Sequence, residues 1–183
     1  ARAPLMQVIG LCRFSYPAIG GFQVEHGTVE ERMEYLYQPA RMDERLRLFE
    51  TICLPGLKAQ TEAGFTFVIV TGDSLPAQYR SRLEALTADM PQARIVARPP
   101  GKMRDVMKQV FLEARQDTSA PVLQFRHDDD DAVSVDFVER LQQAAEDCSG
   151  LLERSAAAAI DFSLGYTASF GAGGIAAAET YRP

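Results

Sequence analysis

Phe65-Thr66-Phe67-Val68-Ile69-Val70 is an unbroken run of aromatic and β-branched residues without a charge. It lacks the apolar–polar alternation of a strand with one wet face. Such a run suits a strand buried on both faces, which occurs in parallel sheets covered by helices on either side. Its flanks agree. The run ends in Thr71-Gly72-Asp73-Ser74, Pro76 stands where a helix can open, and Tyr79, Leu83 and Leu86 then recur at helical spacing.

The rest of the chain repeats this alternation. Met6 to Leu11 reads as a first strand, and Thr28 with Glu31 forms a capping box for a helix reaching Tyr37. Met42, Leu46, Phe49, Ile52 and Cys53 line one helical face, which Pro55-Gly56 is expected to kink or interrupt. Ala93 to Ala97 reads as a third strand, stopped by Pro99-Pro100-Gly101. Met103, Val106, Met107, Val110, Phe111 and Ala114 share a stripe of the next helix. Pro121 to Phe125 reads as a fourth strand, and Asp136 with Glu139 opens a helix carrying Phe137, Leu141, Ala144, Ala145 and Cys148. Strands alternating with helices predict an α/β domain with a mostly parallel sheet. After Leu152 the composition shifts: residues 155–178 hold nine alanines and four glycines and read as loop or closely packed small-residue structure. The chain is expected to stop short of the last elements of such a domain.

Composition narrows the class. With 19 Lys+Arg against 25 Asp+Glu the net charge is -6, and the pI is about 5.0, which argues against a nucleic-acid binder that works by neutralising phosphates. At 183 residues the chain can bury a sizeable core, and no apolar stretch approaches the length of a membrane span. Cys12, Cys53 and Cys148 are odd in number, far apart and without a CxxC pair, so neither a disulfide framework nor a zinc site is expected. Three buried thiols in a reducing cytoplasm are the expectation.

Arg126-His127-Asp128-Asp129-Asp130-Asp131 is the sharpest chemical feature. Two like charges 4 Å apart repel by roughly 1 kcal/mol even in water, so four successive carboxylates suit a solvated loop or a bound cation. Here they follow a strand and precede a helix, at the carboxyl end of the sheet, where open α/β sheets hold their ligands. Asp128 and Asp130, with Asp131 direct or through water, are candidate ligands of Mg²⁺ or Mn²⁺, ions that commonly bridge to substrate phosphates. The other strand ends carry Arg13, Asp73, Lys102 and Arg104, so acids and bases share one rim, and Pro100-Gly101 offers helix N–H groups to phosphate. His26 reads as a surface residue and His127 as a structural strand-end residue.

Taken in order, these stretches resemble the nucleotide-sugar-binding half of a GT-A (Rossmann-like) glycosyltransferase, and the chain is similar to a bacterial rhamnosyltransferase family. Four segments carry the resemblance: Gly10 to Ser15, Leu54 to Thr61 with the strand to Asp73, Gly101 to Arg115, and Arg126 to Ala132. The resemblance implies a domain over residues 1–150 that binds a nucleotide diphospho-sugar, with residues 151–183 beginning the side that takes a glycan or other hydroxyl acceptor. It implies that Asp73 contacts the nucleotide base and that Arg104 helps hold the nucleotide or its diphosphate. Asp128 and Asp130 would hold a divalent metal with Asp131 assisting, although Asp129 and Asp131 fit the same spacing. An inverting transfer needs a carboxylate base, and beyond residue 154 only Asp161 and Glu179 remain, neither in a recognisable motif.

Two rivals stand beside this reading. A haloacid-dehalogenase-like phosphatase also carries an acidic motif after an apolar strand, but it needs a downstream lysine, and no lysine follows Asp131. A non-catalytic α/β module that binds a divalent ion is the other; it predicts metal binding without nucleotide selectivity.

Overall fold

Strand β2 (Phe65–Gly72) is buried along its whole length, as its continuous apolar run requires. The computed structural model describes residues 6–20 and 27–181; His26 lies outside them. On one side β2 pairs with β1 (Gln7–Arg13) and on the other with β3 (Ala93–Arg98), while β4 (Val122–Arg126) pairs with the far side of β1. All pairings are parallel and the order is β3-β2-β1-β4. The expected α/β class and parallel sheet are found.

Helices α1 (Val29–Leu36), α2 (Pro39–Leu48) and α3 (Leu54–Lys58) connect β1 to β2, and α4 (Ala77–Thr87) connects β2 to β3. Thr28 and Glu31 form the capping box of α1 with both reciprocal hydrogen bonds. Arg82 of α4 reaches Asp43 and Glu50 at 3.7 and 3.6 Å, tying α4 to the α2 side of the sheet. Helix α5 (Met103–Ala114) connects β3 to β4 and reverses the direction of travel, so a right-handed crossover puts it on the opposite face. Its expected stripe of Met103, Val106, Met107, Val110, Phe111 and Ala114 packs there with Ile9, Val68 and Val70.

Pro55 does not break its helix. Residues Phe49–Cys53 widen into a π-helical turn, closed by the Leu54 N–H donating to the Phe49 carbonyl, and α3 continues through Pro55 and Gly56. A local turn with longer hydrogen bonds absorbs the site where proline has no N–H to give.

The chain divides into two compact units, residues 1–142 and 143–183, with α6 (Phe137–Asp147) running across the division. The first contains the sheet. In the second, α7 (Ser149–Leu152) precedes a hairpin of β5 (Leu164–Gly171) and β6 (Gly174–Tyr181), paired antiparallel from Leu164↔Tyr181 to Gly171↔Gly174. The small-residue tail is thus loop over residues 155–163, as expected, and a hairpin from Leu164 onward. Gly174 adopts φ 105°, a conformation open to glycine without steric cost.

Candidate functional site

Parallel pairing sets the carboxyl ends of all four strands along one edge of the sheet. The strand order turns back at β1, which has β2 and β3 on one side and β4 on the other. Open α/β sheets bind ligands in the crevice outside the carboxyl ends of the strands at such a switch point. Arg13 ends β1 and Arg126 ends β4, so both belong to this crevice. Just past β1, Ser15 takes φ 48°, which costs a residue with a Cβ about 1–2 kcal/mol, and its hydroxyl accepts a hydrogen bond from Arg41 of α2 at 3.1 Å.

The alternation of β4 carries on into the acidic segment. His127 and Asp129 are buried at 5% and 4% exposure, whereas Asp128 and Asp130 are far more open. The Asp131 N–H donates to the Asp128 carbonyl at 3.2 Å, closing a turn with Asp129 and Asp130 at its corner. Asp128 is approached by Arg13 at 4.0 Å and Arg126 at 3.8 Å. Asp129 goes the other way. Arg45 of α2 donates Nε to Asp129 Oδ2 at 2.9 Å and Nη2 to Oδ1, and its Nη1 reaches Asp130 Oδ2 at 2.9 Å. The acidic turn is therefore gripped by arginines from two sides.

Arg45 escaped sequence reasoning. It shares α2 with Arg41 and Arg47, and an arginine-rich helix reads as a solvated face; only the fold brings it to Asp129, 84 residues away. Gln60 and Thr61 hold the segment after the turn. The Gln60 amide donates to the Gly56 and Ser134 carbonyls at 2.8 and 2.7 Å and accepts the Val138 N–H at 2.8 Å. The Thr61 N–H donates to the Val135 carbonyl and its hydroxyl to Glu139, at 2.8 and 2.7 Å.

The other expected residues lie on the same edge without touching the acidic turn. Asp73 follows β2, its N–H donating to the Arg98 carbonyl at 3.0 Å, and its charge acts on the nearby Tyr16 and Tyr37 phenols. Lys102 is the N-cap of α5 and bridges to Ile19, whose N–H donates to the Gly101 carbonyl at 2.8 Å. Arg104 is exposed in the first turn of α5. Arg13 spans the gap toward that helix, with Nη1 3.8 Å from Met103 Sδ. A cavity of about 310 Å³ opens beside it, lined by Leu11, Arg13, Met107, Gln124, Phe125 and Arg126.

Burial sets the protonation of the turn's neighbours. It lowers the His127 pKa from its ordinary value, so the ring is neutral at pH 7 between the edges of Phe67 and Phe125. Burial, then the charge of Asp130, raises the Asp131 carboxyl.

Among the described residues, no three His, Cys, Asp or Glu side chains converge as ligands of one ion. Asp128, Asp130 and Asp131 thus do not form the three-carboxylate set that the sequence suggested. With both Asp129 oxygens occupied by Arg45, the outward Asp128 and Asp130 remain, and Asp130 keeps one oxygen clear of that arginine. Hard oxygen donors in this number fit Mg²⁺ or Mn²⁺, which take one or two carboxylates and complete their shell with water and substrate phosphate.

Among the described residues no helix is long and apolar enough to cross a membrane. No curated protein matches the chain. The family model described as "Putative rhamnosyl transferase" matches residues 7–183, and the chain belongs to this rhamnosyl transferase family.

Proposed function

We propose that the chain carries a GT-A-type donor site and transfers a sugar, rhamnose by the family's description, from a nucleotide diphospho-sugar to a hydroxyl acceptor. The bond between the anomeric carbon and the diphosphate oxygen breaks with its electron pair leaving on the nucleoside diphosphate, a bond to the acceptor oxygen forms, and the acceptor hydroxyl's proton passes to a general base. The observation that carries this reading is the meeting of Arg13, Arg126 and the acidic turn at the crevice between β1 and β4.

Asp73 accepts hydrogen bonds from the nucleotide base. Lys102 and Arg104, at the N-terminus of α5, face the diphosphate, where the helix dipole adds to their charge. Arg13 stands between α5 and the acidic turn and orients the donor. Asp128 and Asp130 would hold Mn²⁺ or Mg²⁺, which when bound would supply Lewis-acid stabilisation of the leaving diphosphate. Residues 1–150 form the donor side and residues 151–183 belong to the acceptor side.

The test is release of nucleoside diphosphate from a panel of nucleotide diphospho-sugars, in wild type and Asp130→Asn. We expect Mn²⁺-dependent release with one donor, reduced by roughly 10²-fold or more in the variant, the scale of losing a principal electrostatic contact in the transition state. Release that is independent of metal and equal in both proteins would refute the assignment.

A further inference from the structure

The geometry points to Arg45 as the positioning residue of the acidic turn, fixing which aspartates face the donor. This rests on the proposed role of Asp128 and Asp130 and assigns what holds them. The guanidinium binds both oxygens of the buried Asp129 and one oxygen of Asp130, across the corner of the turn that Asp131 closes on Asp128. Asp129 and Asp131 have the same spacing as Asp128 and Asp130, so a turn free to rotate by one residue would present either pair. Arg45 removes that freedom by committing Asp129 to α2. The helix is a firm base for the task, because Met42 and Leu46 of α2 are fully buried in the core. Arg45 also pulls only on Oδ2 of Asp130, which orients the carboxylate and leaves Oδ1 for another cation. Lysine could keep the charge but not the three-point grip, since only guanidinium has the planar fork that matches a carboxylate.

Two opposing effects make the role testable. If Arg45 merely competes with a bound cation for Asp130, weakening it should tighten metal binding. If it positions the turn, weakening it should loosen metal binding by about 10–100-fold, the usual cost of losing an outer partner of a metal ligand. The experiment is titration of the intact chain with Mn²⁺ alone, followed by the free-ion electron paramagnetic resonance signal, with folding checked by circular dichroism. Arg45→Lys is expected to bind Mn²⁺ at least 10-fold more weakly than wild type. Asp129→Asn, which breaks the same clamp from its other end, should show a similar loss, and the double variant little more than either single one. Unchanged or tighter binding in a folded Arg45→Lys or Asp129→Asn overturns the positioning role and leaves the donor site standing. A wild type whose Mn²⁺ binding is absent, or indifferent to Asp130→Asn, overturns the metal assignment and this role together.

Discussion

The side-chain oxygen of Gln60 accepts the backbone N–H of Val138 at 2.8 Å, while the same amide donates to the carbonyls of Gly56 and Ser134. One side chain thus closes the C-terminal end of α3 and caps the start of α6. Together with Thr61 it staples residues 134–139 to the helix that precedes β2. This gives Gln60 and Thr61, which end the Leu54-to-Thr61 segment of the family resemblance, a physical task, which is to anchor the chain just after the acidic turn.

Gln60→Ala should therefore cost about 2–3 kcal/mol, since each of three hydrogen bonds contributes on the order of 1 kcal/mol. Urea denaturation measures it. Gln60→Glu keeps the acceptor for Val138 and loses both donors, so its loss should come from the Gly56 and Ser134 side of the staple. If the acidic turn depends on this anchor, Mn²⁺ affinity falls in Gln60→Ala as well.

A Cβ at Gly56 would lie 2.4 Å from the carbonyl oxygen of Val133, on backbone that leads directly from the aspartates. Gly56→Ala forces that backbone aside, and we expect a loss of about 1–3 kcal/mol. Gly150 lies in helical α7 with nothing within 4 Å of its Cβ position, so Gly150→Ala should gain about 0.5–1 kcal/mol. Thermal unfolding of the two variants checks the pair.

Much of the fold was legible because its elements carry strong periodic signals. Continuous apolarity marked β2, and the stripe from Met103 to Ala114 marked α5. The hairpin did not announce itself: in Ala168↔Ala177 and Ser169↔Ala176 the paired residues are small, so neither face carries a strand-like alternation. The candidate site was legible in Arg13, Asp73 and the aspartates, which stand at strand ends. The Arg45–Asp129 pair was not, because it is a contact between a helix and a distant turn that no local pattern encodes. Nor did sequence spacing choose between the two aspartate pairs; burial of Asp129 distinguishes them in the fold.

His127 and Asp131 give stability opposite pH signatures. Burial holds the His127 pKa below its unfolded value, so its contribution is complete above about pH 6.5 and is lost as pH falls through the lowered folded value. Without added metal, urea midpoints should drop between pH 7 and pH 5, and His127→Phe should remove part of that slope. Asp131 is raised, chiefly by burial and then by Asp130, so it favours the fold when protonated and disfavours it as pH rises through the folded value. Asp131→Asn should accordingly stabilise the chain at pH 7 and not below about pH 4.

The thiols should separate by burial. Cys148 is exposed, whereas Cys12 and Cys53 are fully buried, with desolvation raising the first well above its ordinary pKa and the second to about 12. The thiolate is the reactive form. An aromatic disulfide reagent should therefore titrate one thiol rapidly in the native protein and the other two only on unfolding. Rapid reaction of all three would contradict the packing of Cys12 and Cys53.

The most direct test of the donor site is thermal unfolding with nucleoside diphosphates, each with and without Mn²⁺. A ligand at about 100 times its dissociation constant adds roughly 2.7 kcal/mol. For a chain of this size that is a shift of roughly 5–10 °C. We predict a shift that requires both Mn²⁺ and one particular base and that disappears in Asp130→Asn. A shift with Mn²⁺ alone, no shift with any nucleotide, or an equal shift in Asp130→Asn would contradict a metal-assisted nucleotide-sugar site at the acidic turn.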